Sequence, residues 1–217
     1  SGNLMVLSSY GPQASVYAQY STAADPPAGI LSTANFATLR DFDLTTGRQG
    51  EIGAKFQSRD ARHFVTLAAY RIVRRNLAIT DPANPGQTLP IGQQSSRGIE
   101  ATFGWRPLEA LKVEGNLAWV DATLDDFYEN VGGVPVSRAG NRPTNTPSRV
   151  GNLWVDYTFD PRWSAGVDVR GVSSRYANAA NTLSTAGYAT WGAHVGFRWN
   201  DSTELTVRGR NLGDRTH

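Results

Sequence analysis

The sequence contains no cysteine, and this absence excludes three kinds of chemistry at once. Disulfide frameworks, thiolate metal sites and cysteine nucleophiles all need a thiol. Lysine is nearly missing as well, because only Lys55 and Lys112 of the 21 basic residues are lysines and the arginines are dispersed. With a net charge of only +2 and no basic patch, the composition does not indicate a nucleic-acid partner.

Long apolar runs are also absent. No stretch approaches the roughly 18 apolar residues that suggest a membrane-spanning helix, and the first residues lack the regions of a signal peptide. What the sequence has instead is 22 glycines, 6 tryptophans, 8 tyrosines and 8 phenylalanines, with only 18% charged residues. This composition favours an all-β fold and is unlike that of disordered chains, which lack aromatic residues.

Apolar and polar residues alternate with a period of two along the whole chain. In the clearest segment, every second residue is apolar, namely Ala189, Trp191, Ala193, Val195, Phe197 and Trp199. Such alternation is typical of strands whose two faces meet different media. It predicts ten strands, near residues 2–9, 13–21, 47–58, 62–76, 89–105, 111–122, 147–159, 163–174, 186–200 and 203–211. Only residues 62–73 are apolar on both faces, so the pattern does not orient that strand.

The connections between these strands alternate between short and long. The short ones lie at residues 10–13, 58–61, 106–110, 160–162 and 200–202, and the long ones at residues 22–46, 77–88, 123–146 and 175–185. Tight hairpins therefore lie at one end of the sheet and long loops at the other. Strands of about 9 to 11 residues with short turns, long outer loops and a polar lumen are typical of a transmembrane β-barrel.

Aromatic residues on the apolar faces concentrate at the strand ends. Six lie beside the short turns, namely Trp105, Tyr157, Phe159, Trp163, Phe197 and Trp199. Trp119 and Trp191 lie toward the long loops. Two belts at opposite strand ends are what the two interfaces of a membrane predict, whereas a soluble core would favour aromatic residues in the middle of strands.

The opposite faces carry many ionisable residues. They are Glu51, Lys55, Glu100, Lys112, Glu114, Asp156, Asp168, Arg170, Arg198, Glu204, Arg208 and Arg210. Ionised groups are costly in hydrocarbon, so this face must be wet, densely paired or covered by another polar object. Trp154 lies on the same face, where a tryptophan makes little sense beside open water and good sense against such an object.

Eight segments, taken in order, resemble the C-terminal half of a TonB-dependent outer-membrane receptor of the ferric-siderophore type. They are "SVYAQYS", "TGRQGEIGAKFQ", "RRNLAITDPANPG", "SRGIEATFGWRP", "GNRPTNTPSRVGNLWVDYTF", "SSRYANAANT", "GYATWGAHVGFRW" and "VRGRNLGDRTH". Such a receptor is a 22-stranded barrel filled by an N-terminal plug. The plug, the TonB-contacting segment and the aromatic-ended last strand are missing here, so we expect residues 1–217 to be a single partial domain cut from a longer protein.

The fold prediction is therefore an all-β, antiparallel transmembrane β-barrel segment of about ten long tilted strands. We expect an open curved sheet rather than a closed barrel, because closure ties strand number to shear and diameter. The resemblance implies a place in the bacterial outer membrane and TonB-dependent uptake of a ferric siderophore or another scarce nutrient. The implied partners are the lipid bilayer, the receptor's own plug, the TonB complex and the ferric siderophore, with no cofactor and no covalent chemistry.

Two groups of side chains are candidate sites. Arginines and aromatic residues at the outer mouth suit an anionic ferric chelate, because guanidinium groups pair with carboxylate or catecholate oxygens and rings stack on the chelator. The mouth candidates are Arg138, Arg142, Arg175 and Tyr176, with loop-anchoring hydrogen bonds as the alternative role for each. The candidates for facing the lumen and plug are Trp154, Asp156, Asp168, Arg170, His194, Arg198 and Arg208.

Signals for catalysis or metal binding are poor. His63, His194 and His217 are far apart, and no G-x-S-x-G or H-E-x-x-H motif occurs. The acidic segment "DATLDDFYEN" matches no dedicated calcium loop and is interpreted as part of a solvated outer loop. We predict no catalytic and no metal site. The alternatives are a complete small outer-membrane barrel, either a pore or a surface hydrolase, and a soluble all-β binding module.

Overall fold

The computed structural model describes residues 2–9, 13–25, 44–80 and 88–216. The turn predicted after residue 9, the central parts of the loops predicted at 22–46 and 77–88, and His217 lie outside these ranges. Within them, no helix is long and apolar enough to cross a lipid bilayer.

The described residues contain fourteen strands. In chain order they are β1 (Gly2–Ser9), β2 (Ala14–Asp25), β3 (Thr45–Gln57), β4 (His63–Thr80), β5 (Thr88–Leu108), β6 (Leu111–Asp126), β7 (Tyr128–Val131), β8 (Val134–Ser137), β9 (Arg149–Thr158), β10 (Trp163–Val172), β11 (Arg175–Tyr176), β12 (Ser184–Thr185), β13 (Tyr188–Asn200) and β14 (Thr203–Gly209).

Ten of these strands form one antiparallel sheet in the order β1-β2-β3-β4-β5-β6-β9-β10-β13-β14. The remaining four pair as two small hairpins, β7 with β8 and β11 with β12. Since β1 and β14 occupy opposite edges, the predicted open sheet is confirmed. A complete ten-stranded pore would pair these two edges with each other.

Several predicted boundaries are wrong at the loop end of the sheet. β4 runs on to Thr80 and β6 runs on to Asp126, each four residues beyond its predicted end. The long loop predicted at 123–146 therefore begins as strand and then contains the β7–β8 hairpin. Arg210, assigned to the polar face from the alternation, lies after the end of β14 at Gly209. The extensions arise because backbone pairing continues after the apolar alternation has stopped.

Cross-strand partners on neighbouring strands form rows across the sheet, which we call rungs. Two successive rungs show that polar and apolar side chains lie on opposite faces. One rung, traced by cross-strand partners from β3 to β13, is polar throughout: Lys55, Thr66, Thr102, Asn116, Asn152, Arg170 and Thr190. The next rung points to the opposite face and is apolar or glycine throughout: Ala54, Leu67, Ala101, Leu117, Gly151, Gly171 and Ala189. We call these the polar face and the apolar face of the sheet.

The register also orients β4, which the sequence pattern left open. Phe64 and Tyr70 lie on the polar face, opposite Gly104 and Gly98 of β5. Each ring occupies the space where a side chain of the facing glycine would stand; a Cβ on Gly98 would lie 2.6 Å from the hydroxyl oxygen of Tyr70. β4 is therefore apolar on both faces because its polar-face aromatic rings fill gaps that glycines leave on the neighbouring strand.

In the described ranges, no second layer covers the apolar face of the ten-stranded sheet. Among the described residues, Ala122, Leu124 and Val172 are the buried hydrophobic side chains. Val207 is 78% exposed and Trp199 is 66% exposed, and they belong to a continuous apolar surface. A water-soluble monomer rarely exposes a patch of that extent, so this face needs a lipid or protein environment.

Aromatic rings collect on the apolar face beside the short turns, as the two-belt interpretation predicts. The centroids of Trp163 and Phe197 are 4.6 Å apart, and those of Phe197 and Trp199 are 6.2 Å apart. Tyr157 and Phe159 form a second edge-to-face pair at 5.0 Å. These distances fall in the range where aromatic pairs attract each other, so the Trp163–Phe197 contact also ties β10 to β13.

The turn between β3 and β4 is closed by Asp60. The hydroxyl of Ser58 and the backbone amide of Arg62 both donate hydrogen bonds to its carboxylate. These two bonds, the first being the stronger influence, hold the pKa of Asp60 below its usual range. The turn therefore keeps its charged acceptor at neutral pH and loses that support only in strong acid.

Candidate functional site

The loop end of the sheet is formed by two described connections, which we call loop A (residues 138–148) and loop B (residues 173–187). Loop A is fastened to the end of β6, because the backbone amide of Leu124 donates to Asn141 at 2.8 Å and that of Gly140 donates to Leu124 at 2.8 Å. At the base, the Ser173 hydroxyl accepts hydrogen bonds from the amides of Ser148 at 2.9 Å and Arg149 at 3.1 Å.

Asparagine side chains join loop A to loop B. The carboxamide of Asn181 accepts from the backbone amide of Arg142 at 2.8 Å and donates to its carbonyl oxygen at 2.9 Å. Asn141 donates to the carbonyl of Ala179 at 2.8 Å. Asn181 has a φ of 57°, a left-handed conformation that asparagine tolerates better than most residues. The two loops therefore form one hydrogen-bonded unit above the sheet.

Arg138 and Arg142 are both engaged within the chain. The Nε of Arg138 lies 2.9 Å from Glu129, and its side chain is 18% exposed. The guanidinium of Arg142 donates to the carbonyl oxygen of Val120 at 3.0 Å and approaches Asp121 at 3.5 Å. These contacts are of the loop-anchoring kind that was the alternative role for each residue.

Arg175 and Tyr176 form β11, at the start of loop B, and are half-buried. The backbone carbonyl of Tyr176 accepts from the amide of Asn145 at 2.9 Å, which adds another link between the loops. Unlike Arg138 and Arg142, Arg175 has no ion pair with any described residue. Of the mouth arginines, Arg175 therefore has the guanidinium most available to a ligand, and the ligand-contact role of all four residues stays a prediction.

The lumen candidates all lie in register on the polar face. His194 and Asp156 flank Gly166, and the Nε2 of His194 is 3.2 Å from the Oδ1 of Asp156. A side chain at Gly166 would occupy the gap that these two groups fill. The other five have no hydrogen bond or ion pair through their side chains with any described residue: Trp154, Asp168, Arg170, Arg198 and Arg208.

Sequence reasoning missed a polar cluster near the opposite edge of this face. The Tyr17 hydroxyl donates to Glu51 at 2.8 Å, and the amide of Gln49 donates to the same carboxylate at 3.1 Å. The ammonium of Lys55 lies 5.4 Å from the centroid of the Tyr17 ring. The alternation placed Glu51 and Lys55 on this face, but it could not reveal their partner on the adjacent strand.

The acidic segment after Trp119 is not the solvated loop that we predicted. Asp121 and Asp125 belong to β6, and Asp125 accepts hydrogen bonds from Gln93 at 3.2 Å and from Ser95 at 2.8 Å. In the ranges that the structure describes, no three histidine or acidic side chains converge as metal ligands would.

Comparison with known proteins agrees with this geometry. Residues 4–212 match the family described as "TonB dependent receptor-like, beta-barrel". The chain is 28% identical over 217 residues to the metal-pseudopaline receptor CntO of Pseudomonas aeruginosa (strain UCBPP-PA14), covering 98% of this chain and 29% of that protein. It is 26% identical over 202 residues to the ferrichrome outer membrane transporter/phage receptor of Escherichia coli (strain K12), covering 90% of this chain and 25% of that protein.

Solved structures show the same fold. The siderophore receptor PiuA from Acinetobacter baumannii aligns with a TM-score of 0.85 at 21% identity, over 98% of this chain and 31% of that chain. The sequence therefore spans less than a third of the length of each of these proteins. Because the family match extends over nearly the whole sequence, the chain belongs to the TonB-dependent receptor β-barrel family, which consists of outer-membrane transporters and not of enzymes.

Proposed function

We propose that the intact receptor carries a metal chelate of the siderophore type across the outer membrane in a TonB-dependent manner. This chain would supply part of the barrel wall, two outer loops and part of the surface that meets the plug. The observation that carries the proposal is the joined unit of loops A and B. It stands at the end of a polar sheet face on which Asp168, Arg170 and Arg208 form no ion pair with a described residue. The named relatives support it, being receptors for metal-pseudopaline and ferrichrome.

An anionic or oxygen-rich chelate fits the loop end best. Arg175 has a guanidinium without an internal ion pair among the described residues, and the adjacent Tyr176 offers an aromatic ring. Guanidinium groups make short, directional bonds to carboxylate and catecholate oxygens. In this proposal, Arg138 and Arg142 contribute mainly by holding the loops in place. The direct contacts to the chelate then come from Arg175 and Tyr176.

Uptake of radiolabelled chelates tests the transport role. Cells lacking the full-length gene, and the same cells carrying it on a plasmid, would be supplied with ⁵⁵Fe bound to hydroxamate, catecholate or carboxylate chelators, with and without functional TonB. We expect one chelator class to accumulate only when both the receptor and TonB are present. The proposal would be overturned if every chelator class accumulated equally well without the receptor or without functional TonB.

A second candidate cargo is a chelate of another metal, because the relative with 28% identity is named as a metal-pseudopaline receptor. The same cells supplied with ⁶⁵Zn or ⁶³Ni and a carboxylate chelator distinguish the two possibilities. Receptor-dependent zinc or nickel uptake without iron uptake would favour this cargo, and the reverse would exclude it.

The polar face is proposed to contact the plug, and Trp154 provides the test. It is 40% exposed in the described residues, next to Asp156 and opposite Asp168 of β10. Since the chain lacks cysteine, Trp154→Cys places a single thiol in it. We expect maleimide to label this thiol at least about tenfold more slowly in the intact receptor than after the plug has been unfolded with urea, because a packed interface excludes the reagent.

Thr144→Cys is the matched control, because Thr144 is an exposed residue of loop A. Its labelling rate should be high both before and after urea treatment. If Trp154→Cys is labelled as fast as Thr144→Cys in the intact receptor, the polar face borders open water and the plug contact at this position is wrong.

A further inference from the structure

Three arginines follow one another down the polar face on the neighbouring strands β10, β13 and β14. Arg170 lies on β10, Arg198 on β13 and Arg208 on β14. Arg170 pairs with Thr190 of β13, and Arg208 pairs with His194 of the same strand. Four residues separate His194 from Arg198, so both side chains point to the same face. We call the three arginines the arginine strip.

The arginine strip is narrow and its members are evenly spaced. Arg170 is four residues from Gly166, which lies on the rung of Arg208, and Arg198 is a further four residues beyond that rung. At about 3.3 Å per residue, successive arginines are about 13 Å apart along the strands, whereas the three strands together span only about 10 Å. Arg175 stands at the loop end, at the start of loop B. The mouth arginine is therefore continued by a line of cations toward the short turns.

The side chains of the arginine strip are exposed and have no partner within the described residues. None of them forms an ion pair or a side-chain hydrogen bond there. Arg198 has an acidic cross-strand partner, Glu204, and still does not pair with it. The guanidinium groups of the strip are therefore available to an anion that enters the lumen.

The carboxylates next to the arginine strip lie close to the wall. An oxygen of Asp168 lies 2.9 Å, and an oxygen of Glu204 lies 3.1 Å, from where a Cβ would stand on a neighbouring glycine of β13. Asp156 is engaged with the Nε2 of His194 at 3.2 Å. The glycines let these short acidic side chains lie against the backbone, whereas the longer arginine side chains are exposed to the lumen. An anion in the lumen therefore meets the guanidinium groups first.

The polar face has a different character in the middle of β2 to β5. Aromatic rings lie over glycines there, as Tyr17 does at Gly53. The charged residues at this level are two acids and one lysine: Glu51, Glu100 and Lys55. The ammonium of the lysine is engaged with the Tyr17 ring, 5.4 Å from its centroid. Available cations therefore lie on the side of the wall that β10, β13 and β14 form.

We propose that the arginine strip marks the side of the wall along which an anionic metal chelate moves past the plug. The inference rests on the transport function proposed above and adds the route of the cargo to it. Guanidinium groups form charge-assisted hydrogen bonds with carboxylate and catecholate oxygens. A series of separate sites also suits transport, because each site must attract the cargo and still release it to the next.

Two matched threonines test the route. Thr190 of β13 and Thr66 of β4 lie on the same polar rung, and both are half-buried. Each would be changed to cysteine in the intact receptor, with any cysteine outside this chain replaced, and treated with an anionic methanethiosulfonate. During TonB-driven uptake we expect labelling of Thr190→Cys to accelerate at least about fivefold and that of Thr66→Cys less than about twofold, because only a gap in the packed interface admits the reagent. The route is wrong if labelling at Thr190→Cys is accelerated no more than at Thr66→Cys.

Removal of the charges tests the arginines themselves. The double substitution Arg170→Gln with Arg208→Gln should slow TonB-dependent uptake of an anionic ferric chelate at least about tenfold and leave its equilibrium affinity within about twofold, because the lost charge-assisted bonds form only after the mouth has bound the cargo. Arg170→Lys with Arg208→Lys keeps both charges and should restore most of the uptake. Lys112→Gln is the matched control: it lies on the rung of Arg208, but its ammonium pairs with Glu114 at 2.8 Å, so uptake should stay at the parental rate.

The outcomes separate this route from other roles of the same arginines. Gel mobility with and without heating shows whether each variant is folded, and parental uptake by the folded glutamine double variant would refute the proposal. If that variant slowed neutral and anionic chelates equally and made the cells sensitive to vancomycin, the arginines would hold the plug in place and the route would be wrong. A parent receptor that carried only neutral chelates would exclude the route but keep the transport function. A parent that carried no chelate would refute the transport function itself.

Discussion

Replacing Gly187 with valine is expected to remove most of the folded receptor from the outer membrane. A Cβ at this position would lie 2.8 Å from the amide nitrogen of Ser174 and 2.8 Å from the carbonyl oxygen of Val172. These are backbone atoms at the junction of β10 and loop B, so no side chain can rotate away to relieve the contact. Overpacking costs about 1–3 kcal/mol even where side chains adjust, and we expect the upper end here. The amount of heat-modifiable receptor in outer-membrane extracts measures the loss.

Gly171→Val is the matched control, sixteen residues earlier on β10. A side chain at Gly171 would meet no atom within 4 Å, and it would point to the apolar face. Valine is also favoured in strands, so this variant should accumulate at the parental level. Equal abundance of the two variants, whether high or low, would show that the backbone contact at Gly187 does not limit folding.

Arg142→Met should weaken binding of every chelate that the receptor takes, by about tenfold or more. Methionine keeps much of the length of the side chain but removes the donor to the Val120 carbonyl and leaves Asp121 with Arg97 as its guanidinium partner. Leaving a polar group without its hydrogen-bond partner costs about 1–3 kcal/mol of stability. We therefore expect loop A to become more mobile, and loop B with it, because Asn181 joins the two loops. Equilibrium binding of neutral and anionic ferric chelates, together with the rate of loop proteolysis, provides the measurement.

Arg175→Met separates anchoring from recognition. Arg175 has no ion pair with a described residue, so its replacement should leave proteolysis unchanged and reduce affinity for anionic chelates alone. If Arg142→Met instead affected only anionic chelates without increasing proteolysis, Arg142 would be a ligand contact and the anchoring role would be wrong.

The sheet could be predicted because a membrane wall forces every strand to keep one medium on each side. The alternation of apolar and polar residues can therefore be recognised in the sequence of a single strand, such as β13, even when the neighbouring strands are not known. β4 is the exception, since Phe64 and Tyr70 on its polar face are explained only by Gly104 and Gly98 of β5. Information of that kind lies in the pairing of strands and not in any one segment.

The two small hairpins were missed for different reasons. Residues 131–134 read "VGGV", and Gly132 and Gly133 have positive φ angles of 61° and 86°. A Gly-Gly pair between β-branched residues indicates a two-residue hairpin, so β7 and β8 could have been predicted. β11 and β12 contain two residues each, which is too short for any periodicity to appear.

The types of residue in the candidate site could be predicted from the sequence, but their contacts could not. Arginines at the outer mouth were found from their position after strands, yet Arg138 pairs with Glu129 and Arg142 reaches Val120. The facing arginines of β4 and β5 escaped notice for a related reason. Arg71 and Arg97 continue the apolar-face register of their strands, and only the alignment of neighbouring strands shows that both lie beyond the apolar band.

The carboxamide of Asn181 has a practical consequence for altering specificity. A graft that exchanges loop A alone would separate the Arg142 backbone from its partner in loop B, and exchange of loop B alone would do the same from the other side. Chimeras between receptors of this family should therefore transfer residues 138–148 and 173–187 together. The same restriction applies when a receptor of this family evolves to take a different cargo. We therefore expect loops A and B to change together during evolution.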